Sequence, residues 1–299
     1  MISVCIPVFN RDISDLVTRL AREIKTVPFE TELLVIDDAS TNPSAVQSNA
    51  RIVEGCNGRY LRLEQNAGRT KIRRILAENA SHPWLILLDN DVIPVHDNFL
   101  GEYHRHLKPD TVLCGGPVYR NELPLPEFRL HWKYGREREH VNTHSAFFSC
   151  NFCIPRAWML KVPDFPLPCP YGHEDTLLLL WLEQNGLKVI SLDNPVYHDQ
   201  LKKIDRFLDH QKQALHNLLF ISQQPEWRDK IYNYSPLLRT FRTCKKWGIA
   251  PILKKAFPFI EKKASNDFVS GDPSLRWLDI YKLSYFCTIA GKSVQERNN

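Results

Sequence analysis

The sequence predicts an α/β fold in which a mostly parallel central sheet is flanked by helices. In the first third of the chain, short apolar segments of strand length alternate with segments whose apolar residues recur at helical spacing. This alternation is typical of a parallel sheet with right-handed crossovers. The chain has 299 residues, 43% of them hydrophobic, which suits one large domain or a domain with an appendage.

Strands and helices alternate in the pattern up to residue 91. In chain order we predict a strand at 2–9, a helix that begins after residues 10–12, a strand at 31–38, a strand at 59–66, a basic helix at 67–80 and a strand at 84–91. The first helix has an apolar stripe formed by Ile13, Leu16, Val17, Leu20 and Ile24. The inner side of the second helix is formed by Ile72, Ile75, Leu76 and Ala80.

The rest of the chain is less regular at first and then strongly helical. Prolines and aromatic residues interrupt residues 101–171, where one strand is predicted at 145–155. A helix at 172–186, with Gly186 as its C-cap, precedes a last strand and turn at 187–199. We therefore predict an α/β domain at 1–200, with halves at about 1–95 and 96–200, and a helical, basic extension at 201–299.

Polar side chains follow the predicted strands at the point where each strand ends. They are Asn10, Asp37, Asp38, Asn66 and Asp89. Ligands of open parallel sheets bind beyond the carboxyl ends of the strands, so these groups from four strands should face one crevice. The crevice is the predicted functional site.

In the segment WLILLDNDVIP two acids, Asp89 and Asp91, follow the apolar residues, with Asn90 between them. Acids at the end of a buried strand cost free energy unless a positive group pairs with them. Carboxylate oxygens suit Mg²⁺ or Mn²⁺, and an ion held by few protein carboxylates usually completes its shell with substrate phosphates. The pair predicts a metal site for a diphosphate-bearing substrate. The alternative is a solvated turn, because two acids at this spacing often occur by chance.

Composition and cysteine usage argue against several classes of protein. The net charge of +5, from 39 basic and 34 acidic residues, does not indicate nucleic-acid binding. The chain opens with a strand and has no apolar segment of membrane-span length, so we expect neither a signal peptide nor a transmembrane helix. Cys150 and Cys153 form an isolated C-x-x-C, and we interpret the eight cysteines as reduced, buried thiols.

Five motifs occur in order along the chain, at spacings that fit one domain. They are VCIPVFNR, LLVIDDAST, NAGRTKIRR, LLDNDV and GHEDTLLLLWLEQNG. In these motifs the chain resembles the inverting glycosyltransferases of family 2, which have the Rossmann-like GT-A fold, from its start to about His198. The resemblance implies a nucleotide-diphospho-sugar donor, expected to be a UDP-sugar, and a Mn²⁺ or Mg²⁺ ion. It also implies that the domain at 1–200 is catalytic and that its first half binds the nucleotide.

The resemblance also implies which residues contact the donor. They are Pro7, Asn10, Asp37, Asp38, Asn66, Gly68, Arg69, Arg73, Asp89 and Asn90. Asp38, with Asp37 beside it, matches the acid that accepts a hydrogen bond from the N3–H group of the base. An ionised carboxylate can only accept hydrogen bonds, which suits this role. Arg73 matches the arginine of the third motif, and Arg69 lies one helical turn earlier as a second choice. For both arginines the alternative is a solvated helix face.

The acids of the fourth motif and a later histidine are implied as metal ligands. Asp91 and Asp89 match the D-x-D of the family, with Asp91 as the better direct ligand. His198 matches a histidine that completes the metal shell in some relatives, and a neutral imidazole is a suitable ligand. The alternative is a surface histidine at a strand end.

The last motif contains the residues implied for catalysis. Asp175 matches the general base, and Glu174 matches a residue that orients the acceptor or its loop. The alternative is that both acids stabilise the first turn of a helix through its dipole. The implied acceptor contacts are Asn151, Trp132 and His173, and for Asn151 and Trp132 core packing is the alternative.

Basic and bulky apolar residues interleave between residues 241 and 264. The pattern predicts peripheral contact with an anionic membrane surface, through short helical pieces divided by Pro251 and Pro258. The alternative is a helical cap that packs on the catalytic domain with a solvated basic face.

The expected function follows from the resemblance. The chain should transfer a sugar to a hydroxyl of a glycan or lipid-linked acceptor in cell-surface polysaccharide synthesis, in the cytoplasm and at the inner face of the membrane. One alternative is a nucleotidyltransferase of the same fold, against which stands the lack of a glycine-rich basic segment near the N-terminus. Another is a non-catalytic module that binds nucleotide sugars or glycans.

Overall fold

The computed structural model of the chain describes residues 1–139 and 147–297. Its strands are β1 (Ile2–Val8), β2 (Thr31–Asp37), β3 (Arg59–Arg62), β4 (Trp84–Leu88), β5 (Val92–Pro94), β6 (Thr111–Cys114), β7 (Pro117–Val118), β8 (Asn151–Pro155), β9 (Lys188–Ser191) and β10 (Val196–His198). Its α-helices are α1 (Ser14–Ile24), α2 (Pro43–Gly55), α3 (Arg69–Asn79), α4 (Phe99–His106), α5 (Arg129–Tyr134), α6 (Arg156–Met159), α7 (Glu174–Gln184), α8 (Ile204–Gln223), α9 (Arg228–Tyr234), α10 (Pro236–Lys246), α11 (Ala250–Phe268) and α12 (Leu275–Arg297). Ser145 and Ala146, with which the strand predicted at 145–155 begins, lie outside the described residues.

The central sheet has seven strands in the order β3-β2-β1-β4-β8-β6-β9. Its pairs are parallel except those of β8, which runs antiparallel to β4 and to β6. The prediction of a mostly parallel sheet flanked by helices is confirmed. The carboxyl ends of β1, β2, β3 and β4 therefore lie at one edge of the sheet.

A second, three-stranded sheet has the order β5-β10-β7. The single strand predicted at 187–199 is wrong in this respect, because β9 belongs to the central sheet and β10 to the small one. Between them Asn194 is fully buried, and its side-chain amide donates to the carbonyl of Phe99 at 2.9 Å. Pro195 follows and has no N–H for a ladder, so the chain changes sheets there.

Helix α2 was not predicted, although its start has clear chemistry. The Asn42 side chain accepts from the backbone N–H groups of Ser44 and Ala45, and Pro43 occupies the first helical position. Both choices favour a helix start, because a side-chain oxygen satisfies an orphan donor and proline lacks one. The sequence prediction treated these residues only as a polar turn.

The chain forms two compact units whose segments are interleaved along the sequence. Unit 1 consists of Met1–Arg120, Glu139–Phe165 and Trp181–Gln200, and unit 2 of Asn121–Arg138, Pro166–Leu180 and Leu201–Asn299. The predicted boundary at residue 200 is thus the end of the last segment of unit 1. Two earlier segments of the first 200 residues nevertheless belong to unit 2.

The core of unit 1 lies between the central sheet and its helices. Ile2, Val4 and Ile6 alternate along β1 and face the apolar stripe of α1, of which Leu16 and Leu20 are buried. The alternation is that of a strand, and the stripe is that of an amphipathic helix. This core fixes the strands whose ends form the site.

The core of unit 2 is formed between helices. Its members are Leu130, Phe207, Ala264, Phe268, Leu275, Leu278 and Tyr281. Pro258 was expected to divide this part of the chain, but α11 continues through it from Ala250 to Phe268. Burial of Ile260, Ala264 and Phe268 holds the helix beyond the proline. No helix within the described ranges combines the length and the apolar character needed to cross a bilayer.

Candidate functional site

The loop after β1 is fixed to the loop after β2 by Asn10. Its backbone is left-handed, with φ 51°, and its N–H donates to the Ser40 hydroxyl at 2.8 Å. Its side-chain oxygen accepts from the N–H groups of Thr41 and Asn42 at 2.7 and 3.0 Å. Asparagine tolerates this conformation better than most residues. Asn10 therefore holds two strand-end loops together at the predicted crevice.

Asp37 ends β2 and is fully buried. One of its oxygens accepts from the Ser40 N–H at 2.6 Å, and the other accepts from the Tyr60 hydroxyl at 2.6 Å. Burial, reinforced by the bond to Asp37, raises the pKa of Tyr60 above its usual range. The Asp37 carboxylate thus stabilises the turn after β2. Asp38, the next residue, is buried as well, and the expected contact of either acid with the nucleotide stays a prediction.

Asp38 connects the ends of β2 and β3 to the start of α3. Its carboxylate accepts from the backbone N–H groups of Ala67 and Gly68 at 2.6 and 3.1 Å, and the Asn66 amide donates to its carbonyl at 3.0 Å. Gly68 has φ 80° and ψ 167°, a conformation in which a Cβ would be strained. A carboxylate has about four lone-pair sites, so Asp38 retains acceptor capacity beyond these two bonds.

Arg73, on the buried side of α3, pairs with the first acid of the D-x-D. Its guanidinium is 3.0 Å from the Asp89 carboxylate and donates to the carbonyl of Ser149 at 3.0 Å. The Arg73 side chain is 8% exposed and that of Asp89 is 27% exposed. Of the two arginines that the sequence left open, Arg73 makes this pair, and Arg69 lies exposed at the first position of the same helix.

The second acid, Asp91, lies beside His198. The Nε2 atom of His198 and the Oδ2 atom of Asp91 are 3.7 Å apart. The two come together because β10 pairs antiparallel with β5, which places His198 opposite Val92. Asn90 donates to the carbonyl of Pro7 at 3.1 Å, which fixes the turn between the two acids to β1.

This arrangement fits a divalent ion held by few protein atoms. Asp91 and His198 offer one carboxylate oxygen and one imidazole nitrogen at close range, a donor set that suits Mn²⁺. The His198 ring stacks on Tyr119 with centroids 5.6 Å apart, which orients it. Asp89, the other implied ligand, pairs with Arg73 through its Oδ1 atom, and its role as a metal ligand stays a prediction. In the part of the chain that the structure describes, no three His, Cys, Asp or Glu residues form a complete metal-binding group.

Several residues around this pair were not identified from the sequence. The Arg120 guanidinium donates to both oxygens of Asp199 at 2.7 and 2.8 Å and lies over the Tyr197 ring. The Tyr119 hydroxyl donates to Glu139. These partners are far apart in sequence, so no local pattern could have found them.

The C-x-x-C motif lies at β8 of unit 1. Cys150 and Cys153 are free thiols. Burial raises the pKa of both above the usual range, and for Cys150 the negative charge of Asp89 adds to the effect. Because the thiolate is the ligand form, the raised pKa makes these thiols weaker metal ligands.

Unit 2 contains the first part of the last motif, up to Leu180. Asp175, in the first turn of α7, accepts from the Thr176 N–H at 2.8 Å. His173 has a left-handed backbone with φ 67°, and its Nδ1 atom is 3.1 Å from the Thr176 hydroxyl. Burial, with a contribution from the Lys282 charge, lowers the pKa of His173 to about 4. Trp132, on α5, has the Arg136 guanidinium 4.8 Å from its ring centroid.

Asn151, one of the expected acceptor contacts, lies in the core of unit 1. It is fully buried in β8 of unit 1, where its oxygen accepts from the Tyr103 hydroxyl at 2.7 Å. Its amide donates to the carbonyl of Asn194 at 2.9 Å. Its polar atoms join strands and loops of the core, and an acceptor contact of Asn151 stays a prediction.

The chain matches the sequence profile of glycosyl transferase family 2 over residues 3–165. A comparison with curated protein sequences gives no significant match. Among solved structures, the mannosyltransferase PcManGT from Pyrobaculum calidifontis, in complex with GDP-Man and Mn²⁺, is similar with a TM-score of 0.63 at 13% identity, over 97% of this chain and 86% of the other.

Two further solved structures are similar. Glucosyl-3-phosphoglycerate synthase from Mycobacterium tuberculosis, with Mn²⁺, UDP and glucosyl-3-phosphoglycerate, has a TM-score of 0.52 at 18% identity over 74% of this chain and 79% of the other. TarS 1-349 from S. aureus, with UDP-GlcNAc, has a TM-score of 0.50 at 17% identity over 99% of this chain and 92% of the other. At these identities the likeness shows a common fold, and the GT-A fold expected from the sequence is confirmed.

Proposed function

Because the chain belongs to glycosyl transferase family 2, we propose that it is an inverting, metal-dependent glycosyltransferase that uses a UDP-sugar. The observation that carries the proposal is the Asp91–His198 pair, set beside an Arg73–Asp89 ion pair at the strand ends of unit 1. Two of the three similar structures contain UDP or a UDP-sugar, which supports the choice of nucleotide.

The roles of the donor-side residues follow from their chemistry. Asp91 and His198 would hold a Mn²⁺ or Mg²⁺ ion, which supplies positive charge to a departing diphosphate. Asp38 accepts from the N–H of the base, while its bonds to Ala67 and Gly68 keep the loop before α3 in place. Asp89, oriented by Arg73, accepts from the ribose hydroxyls.

Transfer with inversion is a single displacement at the anomeric carbon. The acceptor oxygen forms a bond to that carbon as the bond to the diphosphate oxygen breaks, and the leaving group departs with the electron pair. Asp175 takes the proton of the acceptor hydroxyl, and Glu174 orients the acceptor. His173 remains neutral at physiological pH because its pKa is lowered, so it can contact the acceptor without adding charge.

The test of this reaction is Asp175→Asn, which keeps the shape of the side chain and removes its basicity. We expect the rate of transfer to fall by about 10²–10⁴-fold while the affinity for the nucleotide sugar with Mn²⁺ stays normal. Asp205→Asn, which changes an exposed acid in the first turn of α8, is the matched control and should transfer at the normal rate. The measurement is release of UDP in the presence of acceptor, over a panel of nucleotide sugars.

The alternatives predict other products. A nucleotidyltransferase would make a nucleotide sugar from a sugar 1-phosphate and a nucleoside triphosphate, and a binding module would release no UDP. Unchanged transfer by Asp175→Asn together with its loss in Glu174→Gln would move the base by one residue. Unchanged transfer by both variants would contradict the proposed mechanism.

We also propose that the acceptor is presented at a membrane, which the exposed face of α11 contacts. This face, the basic face, consists of Ile252, Lys255, Phe259, Lys262 and Lys263, and the preceding Trp247 extends it. Ile252 is 65%, Phe259 63% and Trp247 72% exposed. Large apolar side chains among lysines match a bilayer interface rich in anionic lipid.

The charge of this region supports an anionic partner. Between residues 236 and 266 the exposed charged side chains are all basic: Arg239, Arg242, Lys245, Lys246, Lys255, Lys262 and Lys263. The one acid of this stretch, Glu261, is partly buried and pairs with Lys212 at 3.3 Å. A lipid-linked acceptor, cell-surface polysaccharide synthesis and work at the cytoplasmic face of the membrane are parts of this proposal.

Vesicle sedimentation tests the contact. Vesicles that contain phosphatidylserine should bind the protein at low salt and release much of it at high salt, and vesicles of phosphatidylcholine should bind it weakly. The double variant Trp247→Ser/Phe259→Ser should bind several-fold more weakly, whereas Leu160→Ser, which removes an exposed apolar side chain of unit 1, should not change binding. Equal binding by the double variant, or none by the wild type, would contradict the membrane contact.

A further inference from the structure

The segment before α7 has an unusual backbone. Gly172 has φ 96° and His173 has φ 67°, so two consecutive residues are in the left-handed region. For a non-glycine residue this conformation costs about 1–2 kcal/mol and persists only where the surroundings hold it. The segment leads directly to Glu174 and Asp175. Its conformation therefore sets the position from which α7 starts.

One buried side chain holds this segment, that of Asn217 in α8. Asn217 is fully buried. Its oxygen accepts from the Cys169 N–H at 2.9 Å, and its amide nitrogen lies 3.0, 3.1 and 2.8 Å from the carbonyl oxygens of Cys169, Tyr171 and Gly172. An asparagine amide has two hydrogens, so the three carbonyls share them. The hydrogen bonds of this side chain thus all go to the segment 169–172.

Two more residues on the same face of α8 contact the segment. The Tyr171 ring stacks on His210 with centroids 3.9 Å apart. A Cβ added to Gly172 would lie 2.4 Å from the Cβ of Ala214, so only glycine permits this approach. Positions 210, 214 and 217 are spaced by four and three residues, which places them on one helix face. We name His210, Ala214 and Asn217 the α8 platform.

We propose that the α8 platform, through Asn217, positions Asp175 for proton transfer. The inference rests on the proposed function, in which Asp175 is the general base. Asp175 accepts from the N–H of its neighbour Thr176, so its carboxylate moves with the start of α7. A displacement of about 1 Å at a reacting group can cost about 10²-fold in rate. Asn217 is a positioning residue in this role, since it acts through the segment and does not touch substrate.

A double-mutant cycle tests the proposal. Asn217→Ala should lower kcat by about 10- to 100-fold and leave the KM and Kd of the nucleotide sugar unchanged, because the donor contacts belong to unit 1. Asn217→Ala combined with Asp175→Asn should be no slower than Asp175→Asn alone, because a base that is absent cannot be misplaced. Amide exchange at Cys169 should become faster, since its N–H loses its acceptor.

The matched control is Leu218→Ala, which removes a buried apolar side chain next to Asn217 on α8. It measures the effect of lost α8 packing, and it should lower stability while kcat stays near normal. If Asn217→Ala does not fold, Asn217→Asp takes its place, because it has the same size and keeps the acceptor for Cys169 while it lacks the donors. Asn217→Asp should show the same fall in kcat and the same non-additivity.

The outcomes separate the two proposals. Normal kcat in the Asn217 variants, or effects of Asn217 and Asp175 that add in full, would overturn the positioning role while the proposed base stands. Normal transfer by Asp175→Asn would instead show that the base is wrong, and the positioning role would fall with it. Faster exchange at Cys169 with a normal kcat would show that Asn217 only stabilises the segment.

Discussion

In unit 1 the Asp89 carboxylate is oriented by a charged partner, the Arg73 guanidinium at 3.0 Å, whereas in unit 2 the segment before Asp175 is bound by a neutral amide, that of Asn217. Unit 1 places its polar groups at the ends of strands, where backbone direction alone brings them to one edge. The described part of unit 2 is helical, so no sheet edge brings its polar groups together. The segment before Asp175 depends on contacts between residues 169–172 and Asn217, which lies 45 to 48 residues later along the chain.

The difference has a chemical reason in the proposed reaction. A donor diphosphate and a metal ion are highly charged, so the residues that orient them are themselves charged and paired. A general base must stay basic, and a cation bound to it would make it a weaker base. The Asn217 side chain, which bonds to the segment before Asp175, is a neutral amide. Burial and the Lys282 charge lower the pKa of His173, two residues before Asp175, to about 4, so this side chain adds no charge at physiological pH.

The largest effect is expected from Asp91→Ala in unit 1. Transfer should fall by about 100-fold or more, and UDP binding in the presence of Mn²⁺ should weaken, because the ion loses a ligand. The melting temperature without Mn²⁺ should stay close to that of the wild type. Asp97→Ala, which changes an exposed acid paired with Arg19, is the control and should remain active. Full activity of the wild type in chelator would refute metal dependence and with it the charged character assigned to this site.

A smaller effect is expected from Arg73→Ala, measured as the free energy of unfolding in urea. The variant leaves Asp89 without its cation and the Ser149 carbonyl without a donor, which should cost about 2–3 kcal/mol after allowance for the partial exposure of Asp89. Arg74→Ala is a matched control at the next position, because Arg74 pairs with Asp164 at the surface and should cost about 0–1 kcal/mol. Equal losses in the two variants would mean that the buried pair contributes no more than a surface pair.

The smallest effect is expected from His173→Asn in unit 2, and it depends on pH. The ordinary histidine pKa is about 6.5, and the folded chain holds that of His173 at about 4. Between these values the unfolded chain binds a proton that the folded chain does not, so the stability of the wild type falls as pH is lowered from 6.5 to 4. Asparagine tolerates the left-handed backbone and does not titrate, so the variant should lack this part of the loss, on the order of 1–3 kcal/mol.

Urea unfolding at several pH values measures this difference, with His96→Asn as a control for the loss of one exposed histidine. A wild type and a His173→Asn variant with parallel stability profiles between pH 6.5 and 4 would show that His173 is not kept neutral by the fold. That result would contradict the assignment of a neutral His173 to the segment before Asp175.

Much of unit 1 could be predicted from the sequence because its signals are local. The apolar alternation of β1 and the stripe of α1 follow from the periods of strands and helices. Asn10, Asp38 and Asp89 follow strands directly, and parallel strands bring their ends to one edge. The five motifs indicated the family, and the profile match over residues 3–165 confirms it.

Other features of unit 1 depended on pairing between distant strands. From the sequence, either Arg69 or Arg73 could be the arginine of the third motif. Arg73 pairs with Asp89 because it lies on the packed side of α3. The sequence favoured Asp38 over Asp37 for the base, but it could not show that Asp37 bonds to Ser40 and Tyr60 while Asp38 bonds to the loop before α3. Asn151 had the right chemistry for an acceptor contact, and the structure places it in the core.

In unit 2 the sequence by itself determined little beyond helical content and the order of the last motif. It gave no reason to select Asn217, which is one of several polar residues along a long helix. Its importance comes from three carbonyls and one N–H that chain folding brings to it from residues 169–172. Periodicity reports which face of an element is buried, but hydrogen bonds between remote segments depend on three-dimensional placement. The sequence therefore determined the fold class, the family and the strand-end acids, and only the tertiary structure decided which polar residues hold the site in place.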